Sequence, residues 1–120
     1  MKHIQFIEHA GKQILICDCA KKDRATVLET LAEAKAYIAA LPPRSLLAML
    51  DVTGIKYNTE LSDAFKEFAA HNKPYSKASA IVGIGGLQKI AYTAIMTFTD
   101  RNVPLFNSRA EALDWLVKQE

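Results

Sequence analysis

Side chains able to do chemistry are sparse in this sequence, and their spacing excludes more than it supports. Asp51 closes the apolar run that begins at Leu46, at the carboxyl end of what reads as a central strand. Open α/β sheets place their ligands at that end. Asp18 follows Ile14 to Cys17 in the same way. Two carboxylates could hold a metal or exchange a proton, but no histidine, cysteine or further acid completes a set. Asp51 is therefore expected to accept hydrogen bonds from loop N–H groups. His3, His9 and His71 have no ligand spacing, so no metal site is expected. Ser62, Ser79 and Cys17 have no histidine assignable beside them, which leaves nucleophilic catalysis unsupported. Gly83-Ile84-Gly85-Gly86 lies between a strand and a helix, where phosphate loops occur. Gln88 occupies the place of the third glycine of GxGxxG, and no Gly-Lys-Ser/Thr follows. Lys89 can reach an anion there, while a tight turn needing positive φ accounts for the same glycines. These residues predict neither an enzyme nor a cofactor.

The elements that must position these groups follow from periodicity. His3 to Glu8 and Gln13 to Asp18 read as a hairpin around Ala10-Gly11-Lys12. In the second run Ile14, Ile16 and Asp18 face one way, and Leu15, Cys17 and Cys19 the other. Apolarity on both sides implies a sheet covered on both faces. Asp23 is an N-cap candidate for a helix carrying Val27, Leu31, Ala34, Ile38 and Leu41, which Pro42-Pro43 ends. Ser45 to Val52 is a buried strand. Leu61, Phe65, Phe68 and Ala69 mark a second helix that stops before Pro74, and Ala78 to Ile84 is a further strand.

After Gly85-Gly86, the stripe Leu87, Ile90, Ala91, Ala94, Ile95 and Phe98 is expected to face the core. Tyr92 and Met96, four apart on another face, are then an interface candidate. Cover by their own domain is the other reading. Val103 to Phe106 is a short strand that Pro104 confines to an edge. Ser108-Arg109-Ala110-Glu111 is a capping box opening a last helix with Leu113, Trp115 and Leu116. The order β-β-α-β-α-β-α-β-α predicts one α/β domain over 1–120, with a mixed, mostly parallel sheet and an amino-terminal hairpin.

Composition agrees. The 120 residues are 50% hydrophobic and 23% charged, as expected of one ordinary globular domain. A net charge of +2 with both signs scattered argues against a nucleic-acid binder. The first apolar residues are broken by Gln5, Glu8, His9 and Lys12, so no secretory signal is expected. No run approaches the ~20 apolar residues needed to cross a bilayer, and no membrane partner is expected. Cys17 and Cys19, neighbours on one strand face, are expected to be buried reduced thiols of a cytoplasmic protein.

The element order, the segment Leu46-Leu47-Ala48-Met49-Leu50-Asp51-Val52-Thr53-Gly54-Ile55 and the closing stretch 103 to 116 resemble the STAS-like domains, including the SpoIIAA-like set. The resemblance spans nearly the whole chain. It implies a small cytoplasmic regulatory module resembling anti-sigma-factor antagonists, not an enzyme. In that branch a strand ending in Asp leads to Asp-Ser-Ser-Gly at a helix start, where a partner kinase phosphorylates one serine. Asp51, Thr53 and Gly54 match the first part and, with Asn58, would form the partner-binding loop. The second part departs, since Tyr57-Asn58-Thr59-Glu60-Leu61-Ser62 has neither Ser-Ser nor glycine. Thr59 and Ser62 are the nearest hydroxyls for a phosphate.

A phosphate at a helix amino terminus meets free N–H groups and the positive end of the helix dipole. Glu60 and Asp63 would crowd it with like charge, and the other reading is that Asn58 or Thr59 simply caps the helix. The implied partner is a protein, such as an anti-sigma-factor-like kinase. A homodimer through the Tyr92–Met96 face or the hairpin edge stands beside a monomer. The alternative function is a carrier that holds a lipid or other small apolar ligand between the sheet and movable helices.

Overall fold

In the computed structural model, which describes residues 3–119, β1 (Ile4–His9) and β2 (Lys12–Asp18) form an antiparallel hairpin. Ala10 and Gly11 turn the chain with φ of 49° and 80°. Two consecutive positive φ values suit a two-residue loop to the twist of its strands. β3 (Leu46–Asp51), β4 (Ser76–Val82) and β5 (Leu105–Phe106) then add in parallel, giving the sheet order β1-β2-β3-β4-β5. The helices are α1 (Arg24–Ile38), α2 (Thr59–Asn72), α3 (Gln88–Thr99) and α4 (Arg109–Val117).

This strand order dictates the layers. Right-handed crossovers that always step in the same direction put their helices on one face. Thus α1 packs on α2 and α2 on α3, whereas α4, with no strand after it, folds onto β3, β4 and β5 from the other side. The alternation in β2 is resolved as expected. Leu15 and Cys17 join Val27, Leu31, Leu61 and Phe65 on the α1–α2 side. Ile14 and Ile16 join Met49, Val82, Ala112 and Leu116 on the α4 side. Cys17 and Cys19 are buried and unpaired. Burial raises both thiols, Cys19 to about 12, so neither is a ready thiolate.

Three helices start on side-chain caps. Asp23 accepts from the Thr26 N–H at 2.8 Å, Asn58 from Leu61 at 2.8 Å and Ser108 from Glu111 at 3.2 Å. Helix α3 follows Leu87 and has no side-chain cap. β5 is the expected edge strand, and Pro104 serves it through its carbonyl, which accepts from the Ile81 N–H at 3.1 Å.

One assignment of faces is overturned in part, for Ile95 of the expected stripe does pack on the core. Leu87, Ile90 and Phe98, expected in the core, are 85%, 72% and 69% exposed. Of the two readings of Tyr92 and Met96, an interface or cover by their own domain, the structure has the second, for both turn inward. The cause lies in Val103, just ahead of β5. The Tyr92 hydroxyl donates to its carbonyl, and the Met96 sulfur accepts its N–H at 3.3 Å. Polar backbone at a sheet margin thus selects the helix face that carries a hydroxyl and a thioether.

Candidate functional site

Asp18 and Asp51 are register partners at the carboxyl ends of adjacent parallel strands. Both lie on the α4 side, so two carboxylates converge on one spot and need a cation. Arg109, the first residue of α4, supplies it. Its Nε lies 2.7 Å from Asp51 and an Nη lies 3.0 Å from Asp18. The second Asp51 oxygen accepts from the Thr53 N–H at 3.0 Å and its hydroxyl at 2.7 Å. Burial pushes the Asp51 carboxyl up, but the Thr53 hydrogen bonds and the Arg109 guanidinium outweigh it and hold it below its ordinary value. For Arg109, burial acts downward and the two carboxylates raise the net result. Both Asp51 oxygens are therefore occupied, one by the expected loop N–H together with the Thr53 hydroxyl and the other by Arg109. The cluster ties α4 to the sheet edge.

Arg109 is absent from the sequence-based candidates because the capping box accounted for its segment. The available signal was topological. A helix leaving a parallel strand starts at the carboxyl edge, where Asp18 and Asp51 already sit. Gly83 belongs to the same edge. At φ 94°, a Cβ there would fall 2.2 Å from the Thr53 hydroxyl oxygen and 2.6 Å from its backbone. The glycine sequence is thus a turn pressed against the Thr53 loop, and Gly86 also has positive φ.

The other expected loop residues gather at this edge. Thr53 and Gly54 are exposed, Asn58 is the N-cap of α2, and Thr59 is its exposed first residue. Ser62 lies half-buried one turn further on, and its N–H bonds the Asn58 carbonyl at 2.9 Å. Glu60 pairs with Arg24 at 3.1 Å, both exposed, and Asp63 is exposed. Tyr92 and Met96 do not join this group.

They border instead a cavity of about 70 Å³ between β3, β4, α2 and α3. Its walls are chiefly apolar and include Leu50, Phe65, Phe68, Ile84 and Ile95, while Asn72, Ser79 and Arg101 add polar groups. Tyr57, stacked near Phe65 with ring centroids 5.7 Å apart, also lines it, and burial together with Cys19 raises its hydroxyl to about 12. The α3 cover is thin, since only Thr99 of its twelve residues is buried. Sequence periodicity could not show this cavity, because its lining residues look like ordinary core. Among the described residues, no helix is long and apolar enough to cross a membrane.

No protein-family model matches the chain, and no curated protein matches it in sequence. Among solved structures, it is similar to an uncharacterized protein of the DUF3478 family with a SpoIIAA-like fold from Shewanella loihica PV-4. The TM-score is 0.72 over 94% of this chain and 91% of that one, at 21% identity. The chain has a SpoIIAA-like fold.

Proposed function

We propose that this chain is a non-catalytic carrier of small apolar molecules, with α3 as the movable cover of the cavity. One observation carries the reading: a chiefly apolar cavity is closed by a helix of which only Thr99 is buried, Tyr92, Ile95 and Met96 being half-buried against the cavity. The cavity is far below the roughly 300–1,000 Å³ of ligand clefts, so loading requires α3 to move outward. Leu87, Ile90 and Phe98 already face water, so the contacts that this movement breaks are those of Tyr92, Ile95 and Met96 on the inner face. Two buried unpaired thiols fit a reducing compartment such as the cytoplasm. The test is denaturing extraction of protein purified from its own host, followed by mass spectrometry. A near-stoichiometric apolar compound is expected. Its absence, together with no uptake of added apolar probes, would sink the carrier.

A second reading, a regulatory module that binds a protein partner, is favoured by the exposure of Thr53, Gly54, Asn58 and Thr59 along one edge. Thr59 opens α2, where free N–H groups would receive a phosphate placed by a kinase-like partner. Ser62 is the less accessible acceptor. A co-purifying protein whose binding weakens in T59E or S62E supports this reading. Binding unchanged by both substitutions ends the switch.

A further inference from the structure

The cavity has one feature that a purely apolar cargo does not explain. Arg101 follows the left-handed Asp100 that ends α3, and its N–H is fixed to the Met96 carbonyl at 3.0 Å. From there the side chain runs between α2 and β4. One Nη donates to the Ala69 carbonyl at 3.1 Å and the other to the Ser79 hydroxyl at 3.2 Å. Both acceptors are neutral, and no carboxylate among the described residues pairs with this guanidinium. The neighbouring acid, Asp100, is exposed and lies 3.7 Å from the Lys73 ammonium. A guanidinium has five N–H donors, so bonds to two acceptors leave donors to spare. A partly buried cation without a counter-charge is costly, and a bound anion would offset that cost.

Its position adds a second, independent observation. Arg101, Ser79 and Val103 form the shared wall between the apolar cavity and an open polar groove bordered by Lys73, Lys77, Asn102 and the carboxylate of Asp100. An apolar space on one side and, on the other, a polar groove in which Lys73, Lys77 and Arg101 outnumber the single carboxylate of Asp100 match the two ends of an amphiphile. Resting on the carrier reading, we infer that the cargo is an apolar chain ending in an anionic oxygen group, a carboxylate or a phosphate monoester, and that Arg101 anchors that head. The planar guanidinium fork meets paired oxygens in a two-pronged contact that a lone hydroxyl cannot reproduce.

The experiment is calorimetric titration of the whole chain with dodecanoate, dodecyl phosphate and dodecanol, each below its aggregation concentration. At least one anion should bind the unaltered chain about tenfold or more tighter than dodecanol, the order expected for a charge-assisted hydrogen bond. The tighter anion identifies the head group. In R101Q that advantage should vanish while dodecanol binding stays. Circular dichroism checks the fold. If R101Q does not fold, R101K keeps the charge without the fork and should lose most of the preference. Dodecanol binding as tightly as both anions overturns the anchor and leaves the carrier standing. An anion preference unchanged in the folded variant also overturns the anchor. Failure of all three probes to bind overturns anchor and carrier together.

Discussion

Helices α3 and α4 follow neighbouring strands of one sheet, yet composition and burial run in opposite order between them. Over Gln88–Thr99, α3 is rich in Ile, Ala, Met, Tyr and Phe, but only Thr99 is buried. Over Arg109–Val117, the shorter α4 mixes charges with its apolar residues and buries Ala112 and Leu116 completely. Anchoring separates them too. A Ser108 cap and the Arg109 ion pairs fix the first turn of α4 to the sheet edge, while α3 starts without a side-chain cap. Hydrophobicity measures what a helix can bury; the sheet area offered to it decides what it does bury. The lone helix on its side has the central strands β3 and β4 beneath it. The third helix on the crowded side is left over the margin and the cavity.

The comparison breaks first, if it breaks, at Leu116. L116A should cost about 2–5 kcal/mol, the range for emptying a closed core site. I90A should stay within about 0.5 kcal/mol, as for surface positions. Urea unfolding measures both, and equal losses would mean that α3 is packed as firmly as α4. The glycines leading into α3 come next. G83A places a Cβ against Thr53 at positive φ and should cost about 1–3 kcal/mol, whereas G85A meets open space and should be near neutral.

The tie at α4 is sharpened by acid titration. Asp51 is held below the ordinary carboxylate value near 3.9. Its contribution is therefore complete above about pH 4 and is lost as pH falls through the lower folded value. D51N should remove about 1–2 kcal/mol at neutral pH and flatten that acid limb, a loss expected from removing one side of a buried charge-assisted pair. A parallel loss at every pH would show that Asp51 acts by packing alone. The smallest effect belongs to Phe98, over whose exposed ring the Lys66 ammonium sits 4.5 Å from the centroid. F98A should cost about 0.5 kcal/mol. A loss several times larger would place α3 in the cooperative core.

Much of the fold was legible because local rules act within one element. Asp23, Asn58 and Ser108 cap helices where the sequence places candidates, and the β2 alternation separates its two core faces as read. At the site, Asp51 was legible as a strand-end acceptor of loop hydrogen bonds. Arg109 was not, since its role depends on α4 starting beside strands 58 and 91 residues earlier in the chain. The orientation of α3 was also hidden. Its apolar residues occupy several faces, so periodicity alone cannot choose which one turns inward.

By itself the sequence determined the elements, their order along the chain and a mostly parallel sheet, because capping, strand alternation and proline or glycine breaks are encoded within a few residues; the order of the strands in that sheet came from the structure. Only the tertiary structure decided that Tyr92 and Met96 serve Val103, that Arg109 joins Asp18 and Asp51, and that Arg101 stands beside an apolar cavity. Each of these joins groups distant along the chain or competing for the same helix face, and such choices are made by backbone polarity and unpaired charge once the layers meet.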